Sequence, residues 1–187
     1  GTGYSWSSTA NNSSSSRLNT NLNYDIVNID RTTASVSMWV KPNVDWRNLS
    51  LSGFNLQAGL INTNGCGNTL RFNVVSSRLE LDILDASSGR INFNYLIPAD
   101  WTNKWINLVI TYDLNSNPKT GKIFVNGTNV ASGNSNNTTP SSYATNPLKI
   151  GYAPDYCGNS RYSQASISDL RIFNQLLTTN QVSDLYY

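Results

Sequence analysis

Three acidic residues in the segment ELDILD, Glu80, Asp82 and Asp85, are the side chains of this sequence whose type and spacing could do covalent chemistry. In a β-strand, residues two apart lie on the same face, so Glu80 and Asp82 share a face that the intervening leucine and isoleucine residues do not. Two carboxylates about 5 Å apart can hydrolyse a glycosidic bond, one as nucleophile and one as acid and base. Saccharide hydrolysis is therefore the first hypothesis that the sequence raises.

The residues around the acidic segment argue against that hypothesis. Asp85 falls with the leucines unless a β-bulge re-aims it. The flanks NVVSSR and ASSGR contain no aromatic residue that could stack on a sugar, and the chain contains no histidine, which excludes Ser-His and Cys-His nucleophiles. We interpret Glu80 and Asp82 as two solvated carboxylates on a polar strand face, flanked by Arg78 and Arg90, and we predict that the chain is not an enzyme.

Length and charge limit the partners. The chain has 187 residues, a size typical of one domain, so we predict a single domain over residues 1–187. The net charge is +2 and charged residues make up 13%, which argues against nucleic acid as a partner. No apolar run approaches the roughly 18 residues needed to span a membrane, and we predict no membrane insertion.

Composition indicates the compartment. The chain contains 28 Asn and 25 Ser, an amide- and hydroxyl-rich surface typical of extracellular modules, although an AT-rich genome would give the same Asn bias. It begins GTGYSW, without Met or an apolar leader, and we interpret it as a module or mature fragment of a larger parent protein. We expect an extracellular, cell-surface or virion-surface location.

The two cysteines, Cys66 and Cys157, lie in turn-like settings, NTNGCGNT and DYCGNSR. An even cysteine count in a loop-rich chain predicts a disulfide between them, with two unpaired thiols as the alternative. Such a bridge would stabilise the fold by about 4 kcal/mol through its long closed loop.

Short alternating or β-branched segments separated by Gly, Asn, Ser and Pro predict an all-β antiparallel sandwich. Asn126-Gly127 marks a tight turn between two of them. The last segment, TTNQVSDLYY, predicts a short helix capped by Thr178 or Thr179, and the first 33 residues predict one or two edge strands with long loops. The predicted strands lie at residues 34–42, 70–75, 78–84, 105–113, 121–133, 148–153 and 166–174.

These segments carry a family likeness. SVSMWVKP, then WINLVITYD and GKIFVNGTNVASG, then LKIGYA and SISDLRIFNQLLTTNQVSDLY resemble, in order and spacing, the laminin G-like/concanavalin A-like jelly rolls over roughly residues 34–186. The resemblance implies two stacked antiparallel sheets and a rim of loops that binds glycans or proteins. Its hydrolases carry E-x-D-x-x-E, and Asp85 departs from the third position. Because this fold hosts lectins, adhesion modules and hydrolases alike, function must come from the site.

The resemblance also implies one structural calcium ion, held by an early acidic stretch and a late pair of aspartates. Asp169 matches the second member of that pair, whereas Ser168 stands at the first. The early stretch reads NNSSSS and includes Asn12. Asn and Ser offer oxygen ligands without the charge that calcium prefers, so the expected affinity is weakened or lost.

Tyrosines and planar polar groups concentrate in one predicted loop, GYAPDYCGNSRY. Aromatic faces stack on sugar rings, and amide, carboxylate and guanidinium groups bind hydroxyls. A Cys66–Cys157 bridge would pin INTNGCGNT beside this loop and pre-order the pair for a glycan or polysaccharide. Trp46 is a further candidate, with a role in covering the core as its alternative. The predicted carbohydrate-binding residues are Tyr152, Asp155, Tyr156, Asn159, Arg161, Tyr162, Asn62, Asn64 and Trp46.

Two other aromatic residues receive a structural interpretation. Trp39 leaves the apolar side of its strand, where it could line the concave face or lie beneath the N-terminal segment, and we favour a covered, structural position. Trp105 is also predicted to be structural. The sequence as a whole favours a non-catalytic carbohydrate-binding module. The alternatives are a structural or protein-binding module of the same fold, such as a spike, coat or adhesin component, and a glycoside hydrolase using Glu80 and Asp82.

Overall fold

Alternating apolar and polar residues form β-strands along most of the chain, as the sequence predicts. The computed structural model describes residues 6–7, 33–48, 58–63, 69–84, 90–135, 148–150, 152–156, 159–162 and 164–187; of these, 6–7, 58–63, 69–71, 84, 90, 148–150, 152–156 and 159–162 are described at the level of the backbone. The strands are β1 (Trp6–Ser7), β2 (Thr33–Pro42), β3 (Ala58–Thr63), β4 (Thr69–Val75), β5 (Arg78–Leu84), β6 (Arg90–Leu96), β7 (Ile106–Asp113), β8 (Lys119–Val125), β9 (Thr128–Ser135), β10 (Leu148–Ile150), β11 (Tyr152–Tyr156), β12 (Asn159–Tyr162) and β13 (Ala165–Phe173).

The strands form two stacked antiparallel sheets and a separate hairpin. The six-stranded sheet has the order β1-β13-β2-β7-β8-β9, the five-stranded sheet has the order β10-β3-β4-β5-β6, and β11 pairs with β12. The turn predicted at Asn126-Gly127 joins β8 to β9, and both residues have positive φ, 48° and 76°, as a two-residue hairpin turn requires. The predicted all-β sandwich is confirmed.

Strand periodicity decides which side chains form the core. In β5, Leu79, Leu81 and Ile83 are at most 2% exposed, and in β7 Leu108 and Ile110 are fully buried. Within each strand these residues share a face because they are two apart. The two faces meet between the stacked sheets and form the core. The opposite faces of the same strands are therefore available for other contacts.

Glycine allows one close approach between the sheets. Gly121 in β8 and Gly133 in β9 are register partners, and both lie against the Phe93 ring of β6. A Cβ added at Gly133 would overlap sterically with Phe93 Cδ1. The edges of the two sheets can pack here because the Gly133 position carries no side chain.

Replacing Gly133 with Ala is expected to lower the free energy of unfolding by about 1–3 kcal/mol, because the added methyl group must push a packed aromatic ring away. Urea unfolding of the variant measures the change. Asn134→Ala, a change of the exposed neighbour, is the matched control and should stay within about 0.5 kcal/mol of the parent. A Gly133→Ala protein as stable as the control would contradict the close packing of β9 on β6.

The C-terminal segment covers the outer face of the six-stranded sheet. The helix α1 (Thr179–Asp184) begins with a capping box, in which the Thr178 side chain accepts from the Gln181 backbone N–H and the Gln181 side chain accepts from the Thr178 backbone N–H. Val182 of this helix packs with Val109 and Phe124 in a second apolar cluster. The predicted helix and one of its two predicted caps are confirmed.

A serine ties the same segment to the sheet. The buried Ser35 hydroxyl donates to the carbonyl oxygen of Gln175 at 2.8 Å and accepts from the backbone N–H of Leu177 at 2.9 Å. Further along β2, Trp39 is half-buried and stacks on Tyr186, with 5.8 Å between ring centroids. Trp39 is therefore covered as predicted, by Tyr186 of the C-terminal segment; most of the N-terminal segment lies outside the described residues.

Trp46 is a core residue, and its predicted contact with a ligand is wrong. It begins the 3-10 helix Trp46–Asn48 and is 1% exposed. Asp45 and Arg47 on either side of it form an ion pair, with Arg47 Nη2 2.6 Å from Asp45 Oδ2. Hydrogen bonding from the Arg47 side chain holds the pKa of Asp45 below its ordinary value. The short loop turns the indole inward, since its polar neighbours pair with each other at the surface.

The described residues contain no helix that is long and apolar enough to cross a membrane.

Candidate functional site

The antiparallel register of the five-stranded sheet aligns polar residues in rows. The first row contains one residue from each of the strands β10, β3, β4, β5 and β6, which are register partners in turn. The second row contains one residue from each of β4, β5 and β6. Arg78 lies one row further along. We call these nine residues the polar face: Lys149, Asn62, Arg71, Asp82 and Asn92 in the first row, Asn73, Glu80 and Asn94 in the second, and Arg78.

The alternation of each strand produces this face. In LRFNVV, RLELDIL and RINFNYL, every second residue is apolar and faces the core, for example Phe72, Leu81 and Ile91. The residues between them are Arg, Asn, Asp and Glu. Since directly opposed residues on neighbouring antiparallel strands share a face, three such sequences in register align their polar residues side by side.

Two members of the polar face are buried although they face away from the core. Asp82 and Asn73 are each 1% exposed, whereas Asn92 and Asn94 are exposed and Glu80 is partly exposed. The prediction of a solvated carboxylate at Asp82 is therefore wrong. The sheet alone does not account for this burial, because a side chain on a bare sheet face is open to solvent on that side.

Asn73 has an unusual environment. Its buried Oδ1 has no hydrogen-bond partner within the described part of the chain. A buried acceptor without a partner costs about 1–3 kcal/mol, so its presence requires an explanation such as water or a ligand donor. The polar face thus contains a buried acceptor beside the exposed hydrogen-bonding groups of the same row.

Arg78 orders one of the exposed amides. Its Nη1 donates to Asn94 Oδ1 at 2.7 Å, which fixes the plane of the Asn94 amide at the surface. Planar amide, carboxylate and guanidinium groups in fixed orientations can bind pairs of adjacent hydroxyls. The arrangement is suited to a polyhydroxylated ligand.

The described part of the acidic strand contains no bulge. The register of β5 with both neighbours runs unbroken from Arg78 to Leu84, so Glu80 and Asp82 lie on the polar face and the residues between them lie on the core face. Asp85, the third acid of the motif, lies outside the described residues. A bulge that would bring a third acid to the polar face does not occur between residues 78 and 84.

The predicted tyrosine-rich loop is a β-hairpin. Tyr152 pairs with Tyr162, Ala153 with Arg161, and Tyr156 with Asn159, with a register shift that places residues 154 and 155 opposite Ser160. The structure describes the backbone of these residues, and their predicted contacts with a ligand stay a prediction. Sequence reasoning missed the pairing because Gly, Pro, Asn and Cys in this stretch are turn signals.

The hairpin lies close to β3 of the five-stranded sheet. Both β11 and β12 contact β3, the strand that contributes Asn62 to the first row. The segments that the sequence predicted to be neighbours are therefore brought together at β3. Asn64, Cys66 and Cys157 lie outside the described residues, so the disulfide stays a prediction, although the strands that precede the two cysteines contact each other.

The calcium expectation receives no support from Asp169. Both Asp169 carboxylate oxygens accept from Arg171, at 2.9 Å from Nε and 2.7 Å from Nη2. Asn12 lies outside the described residues. Among the described residues, no group of three or more Cys, Asp or Glu is placed to hold a metal ion. The calcium ion stays a prediction.

Sequence reasoning missed Arg71, Asn73, Asn92 and Asn94 as functional candidates. Each has the same parity in its segment as Glu80 and Asp82 have in theirs, and that parity was the signal that could have found them. The missing knowledge was the strand order, because β4 and β6 had to be placed on either side of β5. The sequence-based prediction favoured the tyrosines instead, because aromatic rings stack on sugar rings.

Comparisons with solved structures show the same fold. The binding domain of botulinum neurotoxin serotype D matches with a TM-score of 0.65 at 16% identity, covering 98% of this chain and 41% of that chain. The receptor binding domain of the C/D mosaic serotype has a TM-score of 0.64 at 16% identity, covering 91% and 39%. The type G receptor binding domain has a TM-score of 0.56 at 15% identity, covering 82% and 37%. The chain spans less than half the length of these structures.

Sequence comparisons identify the family. A search of curated proteins found no match. A family model described as the concanavalin A-like lectin/glucanases superfamily matches residues 11–183, which is most of the chain. This agrees with the resemblance seen in the strand segments and with the two stacked sheets. The chain therefore belongs to the concanavalin A-like lectin/glucanases superfamily.

Proposed function

We propose that this chain is a non-catalytic carbohydrate-binding module, and that the polar face and the β11–β12 hairpin close to β3 form the binding site. The observation that carries the proposal is the alignment of Asn, Asp and Glu residues in two rows beside Arg78, with Asn73 and Asp82 buried among them. Saccharides offer many hydroxyls that both donate and accept, and such rows satisfy both roles.

The family includes lectins and glucanases, so the choice between binding and cleavage rests on the site. Retaining hydrolysis needs a nucleophile and an acid placed on either side of the scissile bond. Of the two carboxylates on the polar face, that of Asp82 is 1% exposed and is not open to a substrate. The register of β5 also runs without a bulge from residue 78 to residue 84. This favours binding without cleavage.

The similar structures support a binding role and a larger parent protein. Two of them are described as receptor binding domains, and each is more than twice as long as this chain. We propose that the chain acts outside the cell or on a cell or virion surface, as one module of a longer protein. The predicted Cys66–Cys157 disulfide agrees with such a compartment, and mass spectrometry with and without reductant tests it.

A glycan array tests the proposed site. The wild-type chain is expected to bind a subset of glycans, and Asn94→Ala, Tyr156→Ala and Arg161→Ala are each expected to weaken binding about tenfold, since each removes a stacking or hydrogen-bonding group. Asn134→Ala changes an exposed amide of the other sheet and should leave binding unchanged. Full binding by all three site variants would overturn the site, and no binding to any glycan would overturn the proposed function. Release of reducing sugar from β-glucans, agars or carrageenans that stops in Glu80→Gln would show a hydrolase instead.

A further inference from the structure

A second group of polar and aromatic residues lies on the outer face of the six-stranded sheet. The register of β13, β2 and β7 aligns Ser168, Trp39 and Asn107 in one row and brings Ser166 next to Lys41 in the next. Trp105 shares the parity of Asn107 and completes the second row. We call these six residues the aromatic block: Trp39, Lys41, Trp105, Asn107, Ser166 and Ser168.

The aromatic block is open to solvent at Trp105. This indole is 42% exposed, so the prediction of a purely structural Trp105 does not explain its position. The Lys41 Nζ atom lies 5.4 Å from the centre of the Trp105 ring. A cation beside an exposed aromatic face offers a ligand both a stacking surface and a positive charge.

Asn107 is the second observation that indicates a ligand. It is 1% exposed, and neither its Oδ1 nor its Nδ2 has a hydrogen-bond partner among the residues that the structure describes. An apolar side chain of the same size would avoid the cost of burying two unpaired polar atoms. An amide at this position is explained when a ligand supplies a donor and an acceptor to it.

Tyr186 contacts the tryptophan that lies beside this amide. It stacks on Trp39, the register partner of Asn107, with 24° between the two ring planes. Tyr186 also lies close to the β8–β9 turn, since a Cβ on Gly127 would be 3.4 Å from Tyr186 Cβ. The preceding turn residue, Asn126, accepts through Oδ1 from the Asn107 backbone N–H at 2.9 Å. The Tyr186 ring therefore occupies the place on Trp39 that another flat or ring-shaped group could take.

Charge indicates the class of ligand. Lys41 is the one charged side chain of the aromatic block, and none of the ion pairs among the described residues involves it. A ligand that combines hydroxyls, an apolar ring face and a negative group would pair with Lys41, Asn107 and Trp105 together. Saccharides that carry a carboxylate have this combination.

We propose that the aromatic block is a second binding site, which takes an acidic saccharide whose ring replaces Tyr186 on Trp39. The carboxylate of the ligand pairs with Lys41, and its hydroxyls bond to the Asn107 amide and the two serine hydroxyls. This site does not depend on the polar face, because the two lie on the outer faces of different sheets.

Titration with trigalacturonic acid tests the proposal, with the fully methyl-esterified trimer as the neutral match. The acid is expected to change tryptophan fluorescence and to bind at least about tenfold more tightly than the ester, since a charge-assisted pair with Lys41 forms only with the acid. Lys41→Gln should remove this difference, and Trp105→Ala should weaken both ligands. Lys122→Gln, a lysine of the same sheet outside the aromatic block, is the control and should change neither affinity.

Asn107→Leu separates a ligand-binding amide from a structural one. This variant is expected to unfold at the same temperature as the parent or higher, because it removes two unpaired buried polar atoms, and to bind trigalacturonic acid at least about tenfold more weakly. Failure of the acid to bind at 10 mM, equal affinity in Lys41→Gln, or a lower unfolding temperature in Asn107→Leu would each overturn the proposal. The double variant Glu80→Gln, Asn94→Ala should keep this binding, which distinguishes the two sites.

Discussion

Replacing Trp46 with Ala is expected to lower the free energy of unfolding by about 3–5 kcal/mol, because it removes a large aromatic side chain from a closely packed core. Trp46 is 1% exposed and belongs to the main core cluster. Urea or thermal unfolding measures the loss. A loss of this size is a large fraction of the roughly 5–15 kcal/mol by which an ordinary domain is stable.

Trp105→Ala is the matched control for this experiment. Trp105 is 42% exposed, so its truncation removes less buried area than at Trp46 and leaves no enclosed cavity, and it should cost about 1–2 kcal/mol. Equal losses in the two variants would contradict the assignment of Trp46 to the core. A Trp46→Ala protein that stays stable but loses glycan binding would instead support the original prediction that Trp46 contacts the ligand.

The double variant Glu80→Gln, Asn94→Ala is expected to lower the affinity for the glycan that binds best on the array by about a hundredfold. The two residues are register partners in the second row. Each hydrogen bond to a ligand contributes about 0.5–1.5 kcal/mol, and one to a charged group contributes more. Calorimetry with the purified glycan measures the change. Because the residues are neighbours, the two single variants need not add up to the double variant.

The control for the double variant is Lys122→Gln, Asn134→Ala. It removes one charge and one amide from the outer face of the other sheet, as the test removes one charge and one amide from the polar face. Both proteins should unfold at nearly the same temperature as the parent. An equal affinity in the test and control proteins would contradict binding at the polar face.

Much of the fold follows from periodicity in the sequence. Alternation placed Leu79 and Leu81 in the core and Glu80 on the other face, and the structure confirms this because two-residue periodicity is a property of the strand itself. The Asn126-Gly127 turn was predictable for a different local reason, because a two-residue hairpin turn needs positive φ values and these two residues adopt them readily.

Properties that depend on distant segments could not be predicted in this way. The burial of Asp82 depends on what lies above its sheet, and parity cannot tell a solvated face from a covered one. Trp39 meets Tyr186, which lies 147 residues later, and the pairing required knowledge of where the C-terminal segment runs. The register partner of Asn73, Glu80, likewise could be identified only once the strand order was known. The candidate site was therefore only partly visible in the sequence.

The most direct test of carbohydrate binding at the polar face is an NMR titration of the labelled chain with the glycan that binds best on the array. The proposed site predicts that the largest shifts occur at Asn73, Glu80, Asn92 and Asn94, including the side-chain amides. Residues of α1 should be unaffected. Shifts that leave these four residues unchanged while the glycan is bound would contradict the account.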